Sequence, residues 1–599
     1  MKGTINGKPV EFKAGQTILE TARQAGHFIP TLCEMGEIKH TPGTCRVCEV
    51  EIRRSQDPAP YLVTSCNTPM EEGLAVFTRT KKVRDTQRLQ VELLLADHNQ
   101  NCASCIRHGN CELQDVAQFV GLQQTHFSNP DFFRSRTVDV SSPSLQRDMS
   151  KCIRCLRCVK VCRDVQGTDV LIIAEHGLGT EIVPRDVPDI QSSDCISCGQ
   201  CTLVCPVGAL AERDDSEKVI DYLYTSNLFT VFQFAPAVRI ALGEEFNMPA
   251  GSIVTGKIIT ALKKLGADVV LDTNFTADLV VMEEGTELLE RIRTGGPLPL
   301  ITSCSPGWIN FMEKNYPEVI PHVSSVKSPQ MCFGAIAKSY LADKMKVDPA
   351  KMRVISIMPC IAKKEEAKRP EFARNGQSDV DVVLTTREFA RLIKREGIWL
   401  PGLDEGEFDN PWMGEYTGAG ALFGTTGGVA EAVLRTLNYL ITGTEIKAVE
   451  VPRLRGTNGV RQSEIDLGGF GKARIAIAHG AKAARPLIEE VCAGISPFAF
   501  IEVMGCPGGC MGGGGQPRNK KNYQTFWHPR QQAIYEIDRH MPIRQAHNNP
   551  QIRRIYEEFL ERPLSPKAHE ILHTRYHSRK HQVHHTIREI WKEIRERRI

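Results

Sequence analysis

No apolar run in the 599-residue chain approaches the roughly 18 residues that a membrane-crossing helix needs, so no membrane span is expected. The opening residues, Met1-Lys2-Gly3-Thr4-Ile5-Asn6, hold no apolar stretch of the kind that directs export, and a cytoplasmic location is expected. Neither sign of charge dominates: 74 Lys and Arg against 71 Asp and Glu leave +3, which argues against a nucleic-acid protein driven by bulk charge. The composition is not that of a disordered chain or a coiled coil either, with 41% hydrophobic and 24% charged residues. No G-x-G-x-x-G follows a strand and opens a helix, so neither flavin nor nicotinamide is expected on this chain. The glycine run Gly512–Gly515 follows a metal-like cysteine pair instead. Length implies several domains and a core that needs no disulfide stapling. Cysteine is what the chain has in excess, with 21 residues. In a large chain without an export signal, clustered cysteines indicate metal rather than disulfides.

Four packets of cysteines divide the first 210 residues. Cys33, Cys45, Cys48 and Cys66 suit a 2Fe-2S cluster held by four thiolates, with a four-Cys zinc site as the alternative. Strand-like runs at Gly3–Val10 and Glu49–Arg53 surround a helix-like Thr17–Ala25, and this part resembles a plant-type 2Fe-2S ferredoxin. His98, Cys102, Cys105 and Cys111 follow an amphipathic helix at Val83–Ala96 and can hold a 4Fe-4S cluster through one imidazole and three thiolates. This packet is similar to that of complex I large subunits and long hydrogenases. Cys152, Cys155, Cys158 and Cys162 form C-x2-C-x2-C-x3-C, repeated at Cys195, Cys198, Cys201 and Cys205 before Pro206. In such two-cluster runs each fourth cysteine serves the other cluster. Cys205 is therefore paired with Cys152, Cys155 and Cys158, and Cys162 with Cys195, Cys198 and Cys201.

Residues 220–560 change character. Strand-like and helix-like runs alternate: Ile258–Leu265 then Ala267–Leu271, Arg353–Ile357, Val380–Thr385 then Arg387–Lys394, Arg474–Ala478 then Ala481–Val491, and Ala499–Val503. The pattern predicts α/β layers, with ligands gathered at strand C-terminal ends. Three cysteine-bearing loops stand out: TSCSPGW at 302–308, MPCIAKKEE from Met358 to Glu366, and EVMGCPGGCMGGGG from Glu502 to Gly515. Glu284 and Glu287 are spaced so that a helix puts both on one face. Two cysteines, Cys332 and Cys492, belong to no packet and are expected to be buried structural thiols. From about residue 578 the chain is basic, with an apolar stripe of Val583, Ile587, Ile590, Trp591 and Ile594 that suits partner docking or packing on its own domain.

The three loops resemble the signatures of the iron-only, or FeFe, hydrogenases: TSCCPxW, MPCxxKxxE and ExMxCxxGCxxGG. The resemblance extends over nearly the whole chain, including the order of the accessory packets. It implies an H-cluster, a 4Fe-4S cube joined through one thiolate to a two-iron unit with CO, cyanide and azadithiolate ligands. Cys360, Cys506 and Cys510 match cube ligands, with Cys510 as the bridge. Lys363 matches the cyanide-contacting lysine. Met358, Met504, Ala235, Pro236 and Gln330 match residues lining the two-iron site. Glu287, Ser324, Glu284 and Cys304 match a proton relay. One departure stands out: the family has two adjacent cysteines where this chain has Cys304-Ser305. The first is the family's proton relay and the second a cube ligand. A serine hydroxyl is a poor iron ligand at neutral pH, so the fourth cube ligand is left between Cys304, Ser305 and another group.

The expected architecture is multidomain, α+β and α/β. It runs from a 2Fe-2S ferredoxin-like domain (1–80) and a 4Fe-4S segment with one His and three Cys ligands (81–135) to a two-cluster 4Fe-4S ferredoxin domain (136–218). An α/β H-cluster domain (219–545) and a small-subunit-like helical segment with a basic tail (546–599) follow. The function implied is reversible H2 oxidation and proton reduction, with electrons relayed through one 2Fe-2S and three 4Fe-4S clusters. The array without a nucleotide site looks like the catalytic subunit of an NAD(P)- and ferredoxin-linked, electron-bifurcating complex. Its implied partners are a flavin- and NAD(P)-binding subunit, a small 2Fe-2S subunit, ferredoxin and maturation proteins. A monomeric ferredoxin-dependent hydrogenase is the runner-up. A pure electron-transfer subunit like that of complex I explains residues 1–215 and fails at 302–515. Hydrogen sensing lacks a regulatory domain, and the iron–sulfur assembly relatives lack the environment that Lys363 and Gln330 supply.

Overall fold

A computed structural model describes residues 1–127, 136–374, 376–408, 410–445, 450–466, 470–518 and 524–580. The basic stripe from Val583 onward lies outside the described residues. Among them, no helix is long and apolar enough to cross a membrane.

The N-terminal sheet places its strands in the order Lys8–Glu11, Lys2–Ile5, Ala75–Phe77, Glu49–Arg53, Tyr61–Thr64. The strand-like run expected over Gly3–Val10 is two strands in a hairpin. Asn6 and Gly7, at φ 51° and 79°, form the turn between them. Asn-Gly accepts the positive φ at both positions that a two-residue hairpin turn requires. The Ile18–Gln24 helix opens with a capping box: Thr17 Oγ1 accepts from Glu20 N–H, and the Glu20 carboxylate accepts from Thr17 N–H. The Lys81–Ala96 helix begins two residues earlier than expected, because Thr80 caps it.

In the two-cluster segment, the Arg157–Lys160 and Gln200–Val204 helices each grow out of a cysteine packet and pack on each other. They sit beside a small sheet of Val138–Asp139, Leu145–Asp148 and Leu210–Glu212. A buried apolar cluster encloses this segment and joins Cys33 and Cys45 to Cys111, Cys155, Cys158 and Cys205.

Two four-stranded sheets build the region beyond residue 228. One orders Val269–Asp272, Phe229–Phe234, Met352–Met358 and Val382–Thr385, all parallel. The other orders Leu300–Ile301, Phe500–Met504, Lys472–His479 and Val460–Asp466, with only the last strand antiparallel. Parallel strands are covered on both faces. Hence Phe229–Phe234 and Met352–Met358 read as almost continuous apolar runs and are almost wholly buried. The first expected pair resolves as a helix, Thr255–Leu265, followed by a strand. The C-terminal ends of both sheets' parallel strands open onto the same place.

Of the two unassigned cysteines, Cys332 is buried as expected, but Cys492 is exposed. It ends the Ala481–Cys492 helix, whose apolar face of Ala484, Leu487, Ile488 and Val491 turns the next position outward.

Candidate active site and metal centres

Four strand ends deliver the walls of a cavity. Phe229–Phe234 leads to Ala235 and Pro236, and Met352–Met358 to Met358 and Cys360. Leu300–Ile301 leads to Cys304 and Ser305, and Phe500–Met504 to Met504 and Cys506, with Cys510 four residues on. Gln330 and Lys363 complete the predicted set on the same cavity, and Thr273, Ala277 and Phe423 also line it. Lys363 Nζ donates to Glu366 Oε2 at 2.8 Å and to the Cys304 carbonyl at 3.2 Å. Glu366 Oε2 also accepts from Ser328 Oγ and from Gln330 Nε2, so one carboxylate orients both polar residues of the cavity.

Cys304 and Cys506 are buried, and Cys360 and Cys510 are half-buried on the cavity wall. Burial pushes the Cys510 thiol up to about 12, and Cys360 adds to the rise. Burial raises Cys506 and Cys360 too, with Lys363 opposing the rise at Cys360. Bare thiolates are costly here, whereas a bound cationic metal would take over that charge. Gln330 Oε1 is buried without a partner. A thiol triad and an ammonium around an apolar space fit a compact iron–sulfur group carrying small anionic ligands. Ser305 Oγ accepts from Gly505 N–H at 2.9 Å, which ties it to the loop bearing Cys506.

A line of polar groups approaches from the other side. Glu284 and Glu287 both lie on the Thr273–Thr294 helix. Glu287 accepts from Arg291 at 2.6 Å and from Ser324 Oγ at 2.8 Å, and its side chain is 12% exposed. Glu284 is fully buried, which with the neighbouring Glu287 charge pushes its carboxyl up to about 8. Ser303 Oγ lies 3.3 Å from Glu284 Oε1 and directly precedes Cys304. Ser303, Arg291 and Glu366 were not predicted as site residues. Ser303 and Glu366 stand inside the recognised loops, and Arg291 is one turn beyond Glu287, so the signals were present.

Two of the accessory packets line cavities of their own. Cys152, Cys155, Cys158 and Cys205 line one cavity, and Cys162, Cys195, Cys198 and Cys201 line another. Cys33 lies against Cys45 and Cys66, and Cys66 against Cys48, all four buried. His98 is buried, its Nδ1 has no partner, and burial lowers its pKa to about 4, so the ring is neutral and free to ligate. Cys105 reaches the two-cluster segment, where a Cβ on Gly208 would stand 2.7 Å from its sulfur. Cys198 and Cys506 meet directly, the Cys506 thiol donating to the Cys198 carbonyl at 3.6 Å. Only glycine permits this approach: a Cβ on Gly514 would lie 2.3 Å from that carbonyl. Buried arginines that no motif announced lock the segments together. Arg157 joins Glu112 to the Glu34 carbonyl, and Arg518 joins Glu112 to the Cys205 carbonyl.

Comparison with known proteins agrees with this geometry. Residues 229–514 match the C-terminal domain of the iron only hydrogenase large subunit, and residues 524–579 the iron hydrogenase small subunit. Residues 2–81 match a 2Fe-2S iron-sulfur cluster binding domain, and residues 87–126 the NADH-ubiquinone oxidoreductase-G iron-sulfur binding region. Residues 151–209 match a 4Fe-4S dicluster domain. The chain is 42% identical over 583 residues to the NADP-reducing hydrogenase subunit HndD of Solidesulfovibrio fructosivorans, covering 96% of this chain and 98% of that protein. It is 37% identical over 576 residues to iron hydrogenase 1 of Clostridium pasteurianum, covering 96% and 99%. An apo structure of a variant of the FeFe-hydrogenase HydA1 from Chlamydomonas reinhardtii is 40% identical with a TM-score of 0.54, covering 60% of this chain and 98% of that one.

Proposed function

The chain belongs to the FeFe, or iron-only, hydrogenases, and on that premise we propose that Cys360, Cys506 and Cys510 hold the H-cluster in the cavity they line. The protein catalyses reversible H2 oxidation and proton reduction. It is an iron–sulfur protein with 2Fe-2S and 4Fe-4S domains beside its catalytic domain. The H-cluster, when bound, supplies the iron centre at which H2 is formed or split. The chain's own residues do the rest. Met358, Met504, Ala235 and Pro236 keep the cavity apolar and dry. Lys363, held by Glu366, presents a cation to anionic ligands, and Gln330, held by the same carboxylate, lines the cavity.

Protons move in this reading between the surface at Arg291 and Glu287, the Ser324 hydroxyl, the Glu284 carboxyl, Ser303 and the Cys304 thiol. Glu284 suits the task because a carboxyl near pH 8 both gives and takes a proton close to neutrality. Cys304 stays the relay, and Ser305 Oγ, already held by Gly505 N–H, keeps its proton and leaves the cube to three thiolates and a further group.

We assign one 2Fe-2S cluster to Cys33, Cys45, Cys48 and Cys66. Three 4Fe-4S clusters go to His98 with Cys102, Cys105 and Cys111; to Cys152, Cys155, Cys158 and Cys205; and to Cys195, Cys198, Cys201 and Cys162. The last set adjoins the catalytic cavity through the Cys198–Cys506 contact, which makes it the point of electron entry. The acceptor in this proposal is NAD(P), through a partner bearing flavin and a small 2Fe-2S subunit, with ferredoxin as a second partner. The likeness to a subunit named NADP-reducing supports this, as does the lack of a nucleotide fingerprint in the sequence. All cysteines among the described residues are unpaired, which suits a reducing, cytoplasmic location.

The observation that carries the reading is the convergence of Cys360, Cys506, Cys510 and Lys363 on one buried cavity. Infrared spectra of the matured protein test it: CO and cyanide stretches are expected, and their absence from a fully loaded, inactive preparation overturns it. Purification from the native host tests the complex, with a flavoprotein expected to copurify. A lone chain that turns over with ferredoxin points to the monomeric enzyme.

A further inference from the structure

The Thr273–Thr294 helix carries two further buried carboxylates, Asp278 and Glu283, that the relay does not use, and Glu283 is the one that reaches the C-terminal segment. One position along the helix from Glu284, it points to a different neighbour. Its Oε1 accepts from Tyr556 OH at 2.5 Å, and its Oε2 accepts from Leu564 N–H at 2.9 Å and lies 3.1 Å from His573 Nε2. The other ring nitrogen of His573 lies 2.8 Å from Ser325 Oγ. Tyr556, Leu564 and His573 all belong to the C-terminal segment.

That segment is laced along the loop bearing the relay serine. Lys327 N–H donates to the Leu572 carbonyl at 2.7 Å, Thr574 N–H donates to the Ser325 carbonyl at 2.8 Å, and Val326 pairs with His573 as an isolated bridge. Within the loop, Ser324 Oγ reaches Glu287, Val326 N–H donates to Ser324 Oγ at 3.2 Å, and the Val326 carbonyl accepts from Ser303 Oγ. Two relay hydroxyls, Ser324 and Ser303, therefore take their positions from the stretch 324–326. That stretch is held from behind by residues 572–574.

We propose that His573 is a positioning residue for proton transfer: anchored on Glu283, it fixes the 324–326 stretch through Ser325 and so keeps Ser324 and Ser303 in line with Glu284. The C-terminal segment is then part of the proton machinery although it does not touch the cavity. The geometry suits this role. Ser324 Oγ donates to Glu287, while Ser325 Oγ lies against His573. One faces the relay and the other the clamp. Hydrogen-bonded relays need heavy atoms within about 3 Å, and displacement on the order of 1 Å is enough to interrupt one.

The proposal rests on the relay reading, and the test separates the two. H2 oxidation by the matured full-length enzyme is measured with a redox dye in H2O and in D2O, with Glu284→Gln as the control. His573→Phe is expected to slow turnover on the order of tenfold and to raise the solvent isotope effect, with the CO and cyanide bands unmoved. His573→Gln, which keeps a hydrogen bond to Ser325, is expected to recover most of the rate. Should His573→Phe fail to fold, Ser325→Ala removes the same contact and is expected to show the same slowing. Unchanged rates in both variants, or a slowing with no rise in the isotope effect, overturn the clamp. If Glu284→Gln also turns over normally, it is the relay reading that falls.

Discussion

Residues 152–205 and residues 283–326 both lead to the catalytic cavity, and they are built in opposite ways. In the first, three of the four thiols that meet are neighbours in sequence, and the fourth comes from the other packet of the repeat. Cysteines three or four positions apart sit on turns that open short helices, and the second packet repeats the first. In the second, Glu284, Ser303 and Ser324 come from a helix, a strand end and a loop, and only tertiary packing brings them together. Local chain geometry places three of the four thiols of each set, so the electron side depends less on the rest of the fold. The proton side depends on hydrogen-bond distances between distant segments and so recruits clamps such as His573.

The sharpest break between the two regions is Cys510→Ser. It removes a cavity thiolate four residues from Cys506 and leaves every accessory packet intact. H2 turnover is expected to vanish together with the CO and cyanide bands, while electron paramagnetic resonance still reports the reduced accessory clusters. Loss of the accessory signals too would mean that the regions do not assemble independently.

Glu284→Gln comes next in size. Glutamine keeps the shape and removes the exchangeable carboxyl proton, so turnover is expected to fall by roughly 10²–10⁴-fold with the cavity's infrared bands unchanged. Glu287→Gln is expected to cost less, because Glu287 lies at the solvent edge with Arg291, where water can substitute. Glu284→Gln also changes stability. The buried carboxyl stands at about 8, against roughly 4.3 in an unfolded chain. The folded state holds a proton through that window that the unfolded state has lost, so stability falls as pH rises through it. Denaturation of the variant between pH 5 and 8 is expected to show a flatter profile than that of the parent.

The same contrast decides what could be read from sequence. The accessory cysteines are legible as packets, because spacing within a packet survives without knowledge of the fold. The catalytic loops were legible through their motifs. What stayed hidden depends on which segment packs on which: the Glu283–His573–Ser325 contacts, the arginines around Glu112, and the approach of Gly514 to Cys198. The hairpin at Asn6-Gly7 carries its own turn signal, but the alternating run continues across it and reads as one strand. Cys492 was misplaced because a lone cysteine gives no face to read.

On the electron side a change of ligand is expected to act by degree. His98→Cys replaces a neutral imidazole by a thiolate and adds negative charge to the cluster it would hold, which lowers that cluster's potential. A redox titration is expected to show one signal shifted to more negative potential, with dye-coupled turnover at the cavity unchanged. A titration in which no signal moves would remove His98 from the ligand set.

The smallest effect compares two copies of one local device. Thr17 and Thr385 each open a helix with a capping box, but Thr17 sits near the surface and Thr385 is fully buried at the end of a strand beside the catalytic loop. Thr17→Ala is expected to cost about 1 kcal/mol, confined to the N-terminal domain and read as a lower melting temperature of the 2Fe-2S signal alone. Thr385→Ala removes the same cap and also empties space against Gly515, where a Cβ would stand only 2.8 Å from the threonine. Its cost is expected to exceed that of Thr17→Ala and to appear in the infrared bands of the cavity. Equal costs would mean that the catalytic loop does not lean on the strand end beneath it.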